Sequence, residues 1–353
     1  MANRKTILVA PLNWGLGHAT RCIPLIQGLL EQSFNVIIAS DGAALAILQK
    51  EFPILPFVEL PSYSISYPKN GAYFRWKLLL KLPAIKKTMQ AEKKLIQTMV
   101  SDGLIDGIIS DNRFGIRNDK IPSVFITHQL NVLSGITSVF STRMHRSIIK
   151  QFDECWVPDV ENQENLSGNL GHLKKIVPNV KYLGILSRME PENVSKKYDI
   201  LAILSGPEPQ RTLFEEKILE SLSGTDYTTL LVRGVVGKTQ VQSKLGNISI
   251  VNFMQSKDLE SAINESAIVI ARSGYTTLMD LSVMGKKVFF IPTPGQYEQL
   301  YLAQRMQKLG MAPFCEQQDF SVEKLKEISK FKGLSNIKSS PDYKSLFSLF
   351  ERE

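Results

Sequence analysis

Polar residues that follow an apolar run in the second half of the chain are of types that bind phosphate and ribose. Arg272-Ser273-Gly274 comes directly after the run 267–271, and a helix-forming stretch starts at Tyr275-Thr276. Glycine allows close backbone approach, and the free N–H groups of a helix start favour a phosphate. Asp280, about one turn beyond Thr276, has a carboxylate that can accept both ribose hydroxyls. Ordinary N-caps and a solvated surface acid explain the same residues equally well.

A second polar loop favours the ligand-binding interpretation. Residues 292–296 follow the next apolar run and lead into another helical stretch. Loops at the carboxyl ends of strands are where α/β domains bind ligands. Gln296 and Gln299 are therefore expected beside Asp280, facing one small polar ligand.

The first strand of the chain is followed by a glycine-containing turn. Gly15 and Gly17 precede His18 at the start of a helical stretch, but the third glycine of a dinucleotide-binding fingerprint is missing. His18 is a candidate general base or diphosphate partner. A tight strand-to-helix turn with a capping or core histidine is the alternative.

Two further candidates for the base follow later strands of the first half. Asp111 ends one strand, and His128 follows the next. A structural hydrogen bond within its loop explains His128 as well as catalysis does, so the base stays open among His18, Asp111 and His128.

Backbone N–H groups and arginines are candidates to hold a leaving diphosphate. Ser205 and Gly206 form a loop before a helix, and Arg211 and Arg233 lie close to it in sequence. The Asp-x-Asp motif that would hold a metal-bound diphosphate is absent from the sequence. We therefore expect no metal, with helix dipoles and arginine stabilising the leaving group.

Short apolar runs alternate with helical periods in both halves of the chain, which predicts parallel sheets covered on both faces. We predict an α/β protein of two Rossmann-like, doubly wound domains that face each other across a cleft. The first spans residues 1–187, a linker spans 188–197, and the second spans 198–335. Residues 336–353 are predicted as a terminal helix that either stands apart or returns to the first domain.

Composition limits the class of protein and indicates an anionic partner. The 353 residues are 43% hydrophobic and 22% charged, and the three cysteines are widely separated, so we expect a protein of the reducing cytoplasm. No signal peptide or membrane-spanning run is recognisable.

Much of the net charge of +8 comes from a basic segment that interleaves lysine with Trp and Leu, residues 74–94. It predicts either peripheral contact with an anionic membrane or an ordinary amphipathic helix; no nucleic-acid recognition motif accompanies it.

The run from Phe253 to Leu309 resembles the C-terminal domain of family 28 glycosyltransferases, which have the GT-B architecture. The pattern is most similar to the family members that add N-acetylglucosamine to a lipid-linked peptidoglycan precursor. The resemblance implies that Arg272-Ser273-Gly274 contacts the donor diphosphate, and that Asp280 and Gln299 bind the ribose and sugar. It implies a nucleobase contact at Phe253 and Met254.

The first half resembles the same family less closely. The turn at Gly15, Gly17 and His18 resembles a Gly-Gly-His turn that borders the acceptor and the transferred sugar. Residues 128–131 resemble a His-Glu-Gln-Asn run, with Gln129 where the family has a carboxylate.

The resemblance implies a transferase that moves N-acetylglucosamine or a related hexose from a UDP-sugar to an acceptor hydroxyl. The UDP-sugar is a co-substrate, and no cofactor is expected. Inversion at the anomeric carbon, a lipid-linked acceptor of the cell envelope and a position on the inner face of the cell membrane are further expectations. A non-hydrolysing UDP-sugar 2-epimerase and a non-catalytic nucleotide-sugar-binding protein are the alternatives.

Overall fold

A computed structural model of the chain describes residues 4–63, 82–133, 138–162, 165–173, 179–334 and 341–351. The chain divides into two compact units, the first extending to Leu186 and including the C-terminal helix, and the second beginning at Ser187. The predicted linker, 188–197, is held on the second unit. For example, the Glu190 amide donates to the Glu260 carboxylate at 2.7 Å.

The first unit is built on a seven-stranded parallel sheet in the order β3-β2-β1-β4-β5-β6-β7. The chain runs outward from β1 to β3 and then continues from β4 on the other side of β1, so the topological switch point lies between β1 and β4. The strands are β1 (Thr6–Pro11), β2 (Asn35–Ser40), β3 (Phe57–Glu59), β4 (Gly107–Asp111), β5 (Ser123–Ile126), β6 (Glu154–Val157) and β7 (Val180–Tyr182).

Helices pack on this sheet because successive strand residues point to opposite faces. Leu8 and Ala10 of β1 cluster with Ile96 and Met99, which are buried on the third helix. The helices of this part of the chain are α1 (Gly17–Glu31), α2 (Gly42–Glu51), α3 (Leu82–Ser101) and α4 (Ser138–Ile149). None of the helices in the described residues is long and apolar enough to cross a membrane.

The second unit contains a six-stranded sheet in the order β10-β11-β9-β8-β12-β13. Only the edge pair β10–β11 is antiparallel. The switch point lies between β8 and β12. The strands are β8 (Tyr198–Ile203), β9 (Thr229–Val232), β10 (Gln242–Leu245), β11 (Ile248–Val251), β12 (Ser266–Ala271) and β13 (Lys287–Phe290), and the helices are α5 (Gln210–Leu222), α6 (Ser256–Asn264), α7 (Tyr275–Val283) and α8 (Tyr297–Lys308).

The C-terminal helix α9 (Tyr343–Glu351) completes the core of the first unit. Phe347 and Phe350 are buried, and the ring centroids of both lie 6.2 Å from that of Trp156 on β6. Burial of a phenylalanine side chain stabilises a fold by about 1.5 to 3 kcal/mol. The terminal helix is therefore an integral part of the first unit.

Candidate active site

The two strands at the switch point of the first unit end side by side. Pro11 of β1 is paired with Asp111 of β4, and the Leu12 amide donates to the Asp111 carbonyl at 2.9 Å. The chain then turns at Gly15, whose φ of +83° suits glycine, and α1 begins at Gly17. This topology brings the predicted turn to the end of β4, where loops of doubly wound sheets bind ligands.

His18 and Asp111, two of the residues predicted as candidate bases, form a hydrogen-bonded pair. The His18 Nδ1 atom lies 2.8 Å from Asp111 Oδ1, and the carboxylate is fully buried. The Arg21 guanidinium donates to both carboxylate oxygens, and its Nε–Oδ2 distance is 2.5 Å. The same His18 Nδ1 atom lies 2.9 Å from Arg21 Nη2, so its role depends on the tautomer. In the tautomer with a proton on Nδ1, His18 donates to Asp111 and keeps the Nε2 lone pair for a substrate proton.

The environment keeps both members of the pair in the states that a general base requires. Burial lowers the pKa of His18 below its usual 6.5, and the Arg21 charge lowers it further, against the opposing effect of Asp111. Burial alone would raise the pKa of Asp111, but Arg21 and His18 outweigh it and hold this pKa below its usual range. Asp111 is therefore ionised and paired, and His18 is neutral near pH 7.

His128 belongs to the same cluster and contacts the same arginine. Its Nδ1 atom lies 3.0 Å from Arg21 Nη1, and the residue is buried. Because a guanidinium only donates, Nδ1 of His128 is the acceptor of this hydrogen bond. Arg21, which the sequence interpretation did not include, thus joins all three candidates. Its position three residues after His18, on the same helical face, was the available signal.

In the second unit, three neighbouring strands end at the same edge of the sheet, and a loop follows each of them. Ala271 of β12 is paired with Ile203 of β8 on one side and with Phe290 of β13 on the other. Three segments leave these strands at matching levels and lead into α5, α7 and α8: residues 204–209, 272–274 and 291–296. Helix starts beside a topological switch point favour a bound anion.

Arg272 lies within the core of this unit and braces its loops. The side chain is fully buried, with its guanidinium carbon 4.0 Å from the centre of the Phe214 ring. It donates to the carbonyls of Ile291 and Pro292 at 3.0 and 3.1 Å, and to the Gln210 carbonyl at 3.0 Å. A direct diphosphate contact by Arg272 stays a prediction. Its observed contacts join the loop 291–296 to the start of α5.

Ser273 and Gln299 connect the second and third loops. The Ser273 hydroxyl donates to the Gln299 carbonyl at 2.7 Å, and the Gln299 side-chain oxygen accepts from the Thr293 amide at 2.7 Å. Gly274 is the N-cap of α7, and Gln296 is that of α8. Tyr275 and Thr276, at the start of α7, are both buried.

Asp280 is buried on α7, and one of its partners was not anticipated from the sequence. The Ser187 hydroxyl donates to Asp280 Oδ1 at 2.7 Å. Burial raises the pKa of Asp280, while Arg188 and Ser187 partly offset this effect. The carboxylate predicted to hold ribose therefore also holds the segment with which the second unit begins.

The two arginines predicted to neutralise a diphosphate share one carboxylate. Arg211 Nη1 and Arg233 Nη2 lie 2.9 and 2.7 Å from the two oxygens of Glu215.

The residues predicted to contact the nucleobase follow β11. Phe253 is buried two residues beyond this strand, and its carbonyl accepts from Gln240 at 3.1 Å; Met254 follows it. Across the described part of the chain, no group of three or more His, Cys, Asp and Glu side chains is placed to hold a metal.

The sheet order and switch-point loops of each unit are those of a Rossmann-like domain, and two such domains make up the GT-B fold of glycosyltransferases. Residues 210–335 match the family model described as glycosyltransferase family 28 C-terminal domain. The solved structure of the spinosyn forosaminyltransferase SpnP has the same fold, with a TM-score of 0.65 and 13% identity over 99% of this chain and all of that one.

Curated relatives include two bacterial enzymes named UDP-N-acetylglucosamine–N-acetylmuramyl-(pentapeptide) pyrophosphoryl-undecaprenol N-acetylglucosamine transferase. The one from Glaesserella parasuis is 25% identical over 320 residues, 88% of this chain and 84% of its own. The one from Haemophilus ducreyi is 22% identical over 210 residues, 58% of this chain and 56% of its own. That second match spans little more than half of the relative.

Proposed function

We propose that this glycosyltransferase moves N-acetylglucosamine or a related hexose from a UDP-sugar to an acceptor hydroxyl, with inversion and without a metal. The observation that carries the proposal is the register of the second sheet. Because Ile203 and Ala271 are paired, the loops at Ser205-Gly206 and Ser273-Gly274 start from the same level of adjacent strands. Two helix starts at one switch point suit the diphosphate of a nucleotide sugar.

The pair of His18 and Asp111 supports the chemical step. In the proposed reaction, Nε2 of His18 takes the proton of the acceptor hydroxyl while the acceptor oxygen bonds to the anomeric carbon. The bond from that carbon to the phosphate oxygen breaks, and UDP leaves with the electron pair. Asp111 stabilises the imidazolium that forms, and Arg21 keeps Asp111 ionised.

The acceptor in this proposal is lipid-linked, as in the names of the curated relatives. Two helices of the first unit carry features that suit an anionic membrane surface. Lys86, Lys87, Lys93 and Lys94 are exposed on α3. On α4, Val139 and Phe140 are 83% and 70% exposed. The remainder of the predicted basic segment, 74–81, lies outside the described residues, and peripheral contact with the inner face of the cell membrane is part of the proposal.

A thermal-shift panel of UDP-, GDP- and TDP-sugars tests the donor site. We expect UDP-sugars to raise the melting temperature of the wild type and to do so much less in Asp280→Ala. Ser187→Ala is the matched control, because it removes the hydrogen bond to Asp280 and keeps the carboxylate. If no nucleotide sugar shifts the wild type, the proposal fails. If Ser187→Ala loses as much of the shift as Asp280→Ala, the ribose role of Asp280 fails.

A further inference from the structure

The hydroxyl of Thr293 is a buried polar group without a partner. The residue is 2% exposed, and its Oγ1 atom makes no hydrogen bond to any residue that the structure describes. An unsatisfied buried hydroxyl destabilises a fold by about 1 to 3 kcal/mol, so native structures retain few of them. A ligand atom that completes the missing hydrogen bond would explain why an unsatisfied buried hydroxyl is retained at this position.

The backbone around Thr293 is fixed on both sides, which determines where the hydroxyl lies. Arg272 donates to the carbonyls of Ile291 and Pro292, the two residues before it. Gln299 accepts from the Thr293 amide itself at 2.7 Å. The side chain is therefore preorganised and would need little reordering to receive a ligand.

The loop at Ser205-Gly206 lies close to the hydroxyl. Gly206 has a φ of +101°, and a side-chain carbon built on it would meet only one atom within 4 Å, Thr293 Oγ1 at 3.7 Å. The hydroxyl thus lies beside Gly206, where the absence of a side chain leaves space next to it. The start of α5 follows the same loop, and its Thr212 amide donates to the Glu208 carboxylate at 3.2 Å.

We propose that Thr293 is a donor-binding residue whose hydroxyl donates to a phosphate oxygen of the nucleoside diphosphate. The assignment rests on the proposed function and extends it to a residue of the loop 291–296 that the sequence patterns did not single out. A phosphate oxygen is the expected partner because, in the proposed function, the diphosphate binds at the loops of Ser205-Gly206 and Ser273-Gly274. Hydroxyl donors to an anion are also among the stronger hydrogen bonds.

Thr293→Val tests this role because it removes the hydroxyl and keeps a similar shape. In the free protein, we expect an unchanged or higher melting temperature, since an unpartnered polar group has been replaced by an apolar one. For UDP, we expect the dissociation constant from calorimetry to rise at least about tenfold. Thr293→Ser, which keeps the hydroxyl, should bind UDP nearly as the wild type does. A purely structural role would not produce this opposite response of stability and affinity.

Thr229→Val is the matched control, because Thr229 is 1% exposed on β9 of the same unit and its hydroxyl faces the Tyr227 carbonyl at 3.4 Å. We expect UDP binding to be unchanged in this variant. Equal UDP affinity in Thr293→Val and the wild type would overturn the inference while leaving the proposed function intact. Weaker binding of a UDP-sugar with unchanged binding of UDP would overturn the phosphate assignment. Absence of UDP binding by the wild type would contradict the proposed function itself.

Discussion

His18, at the start of α1, and Asp111, at the end of β4, share a hydrogen bond of 2.8 Å. The pairing of Pro11 with Asp111 sets the distance, because it places the start of α1 beside the end of β4. One side chain is partly exposed and the other is fully buried. A partly exposed imidazole oriented by a buried carboxylate is an arrangement suited to proton abstraction.

Replacement of His18 by glutamine should remove most of the transferase activity. General bases contribute about 10²- to 10⁴-fold to rate, so we expect kcat to fall by that factor while UDP-sugar affinity is retained. The measurement is UDP release in the presence of a lipid extract that supplies the acceptor. His172→Gln is a close control: His172 is 20% exposed, His18 is 17% exposed, and each contacts a buried aspartate. Equal losses of activity in the two variants would contradict a catalytic role for His18.

The pH dependence of kcat/KM should report the depressed pKa of His18. A base acts in its neutral form, so activity falls as the pH drops through the pKa of this group. Burial and Arg21 place that pKa below 6.5, and the midpoint of the decline should therefore lie below pH 6.5. In Asp111→Asn the supporting negative charge is lost, so the decline should move to still lower pH. An acid limb centred above pH 6.5 would argue against this assignment.

Much of the site could be predicted from sequence because strand ends can be read locally. The apolar runs that end at Ala271 and Ile291 located the loops of the second unit, and sheet order brought these loops together. Arg21 was missed because its partner Asp111 lies 90 positions away, and the spacing of Arg21 from His18 does not by itself record that contact. The hydrogen bond from Ser187 to Asp280 was missed for the same reason, with 93 positions between the two residues.

The short edge strands were beyond the reach of sequence periodicity. β3 and β7 have three residues each, and all four residues of β10 are exposed. Such segments bury too little apolar surface to show an alternating pattern, and their pairing depends on the strands beside them. Sheet order and helix positions were therefore more predictable than the edges of either sheet.

Arg272→Lys should weaken the loops of the second unit. Lysine keeps the charge but cannot reproduce the guanidinium contacts to three carbonyls, of Gln210, Ile291 and Pro292. We expect the free energy of unfolding to fall by about 1 to 3 kcal/mol in urea titrations, together with weaker UDP binding. Thr293→Val is expected to lower affinity alone, so the two variants separate support of the loop from contact with the ligand. Wild-type stability in Arg272→Lys would rule out the supporting role.

The stability of the first unit should depend on pH through His145. This residue is buried between Phe114 and Phe125, with both ring centroids 5.7 Å away, and burial lowers its pKa to about 4. The unfolded chain takes up the proton near pH 6.5 and the folded chain only near 4. Stability is therefore complete above 6.5 and declines through that window by roughly 3 kcal/mol. His145→Leu should lack this part of the decline in denaturant titrations at several pH values. Parallel curves for the two proteins would contradict the assignment.

The exposed apolar residues of α4 should contribute to membrane binding without supporting the fold. Val139 and Phe140 are largely exposed, and Arg143, Arg146 and Lys150 line a groove beside Val139. Replacing Val139 and Phe140 by serine should reduce co-sedimentation with vesicles that contain anionic lipid. The change in stability should stay within about 0.5 kcal/mol, as is usual for exposed positions. Neutral vesicles separate the two contributions, since basic residues near a surface bind only the anionic lipid. Unchanged binding of the double variant to anionic vesicles would exclude this surface as the contact.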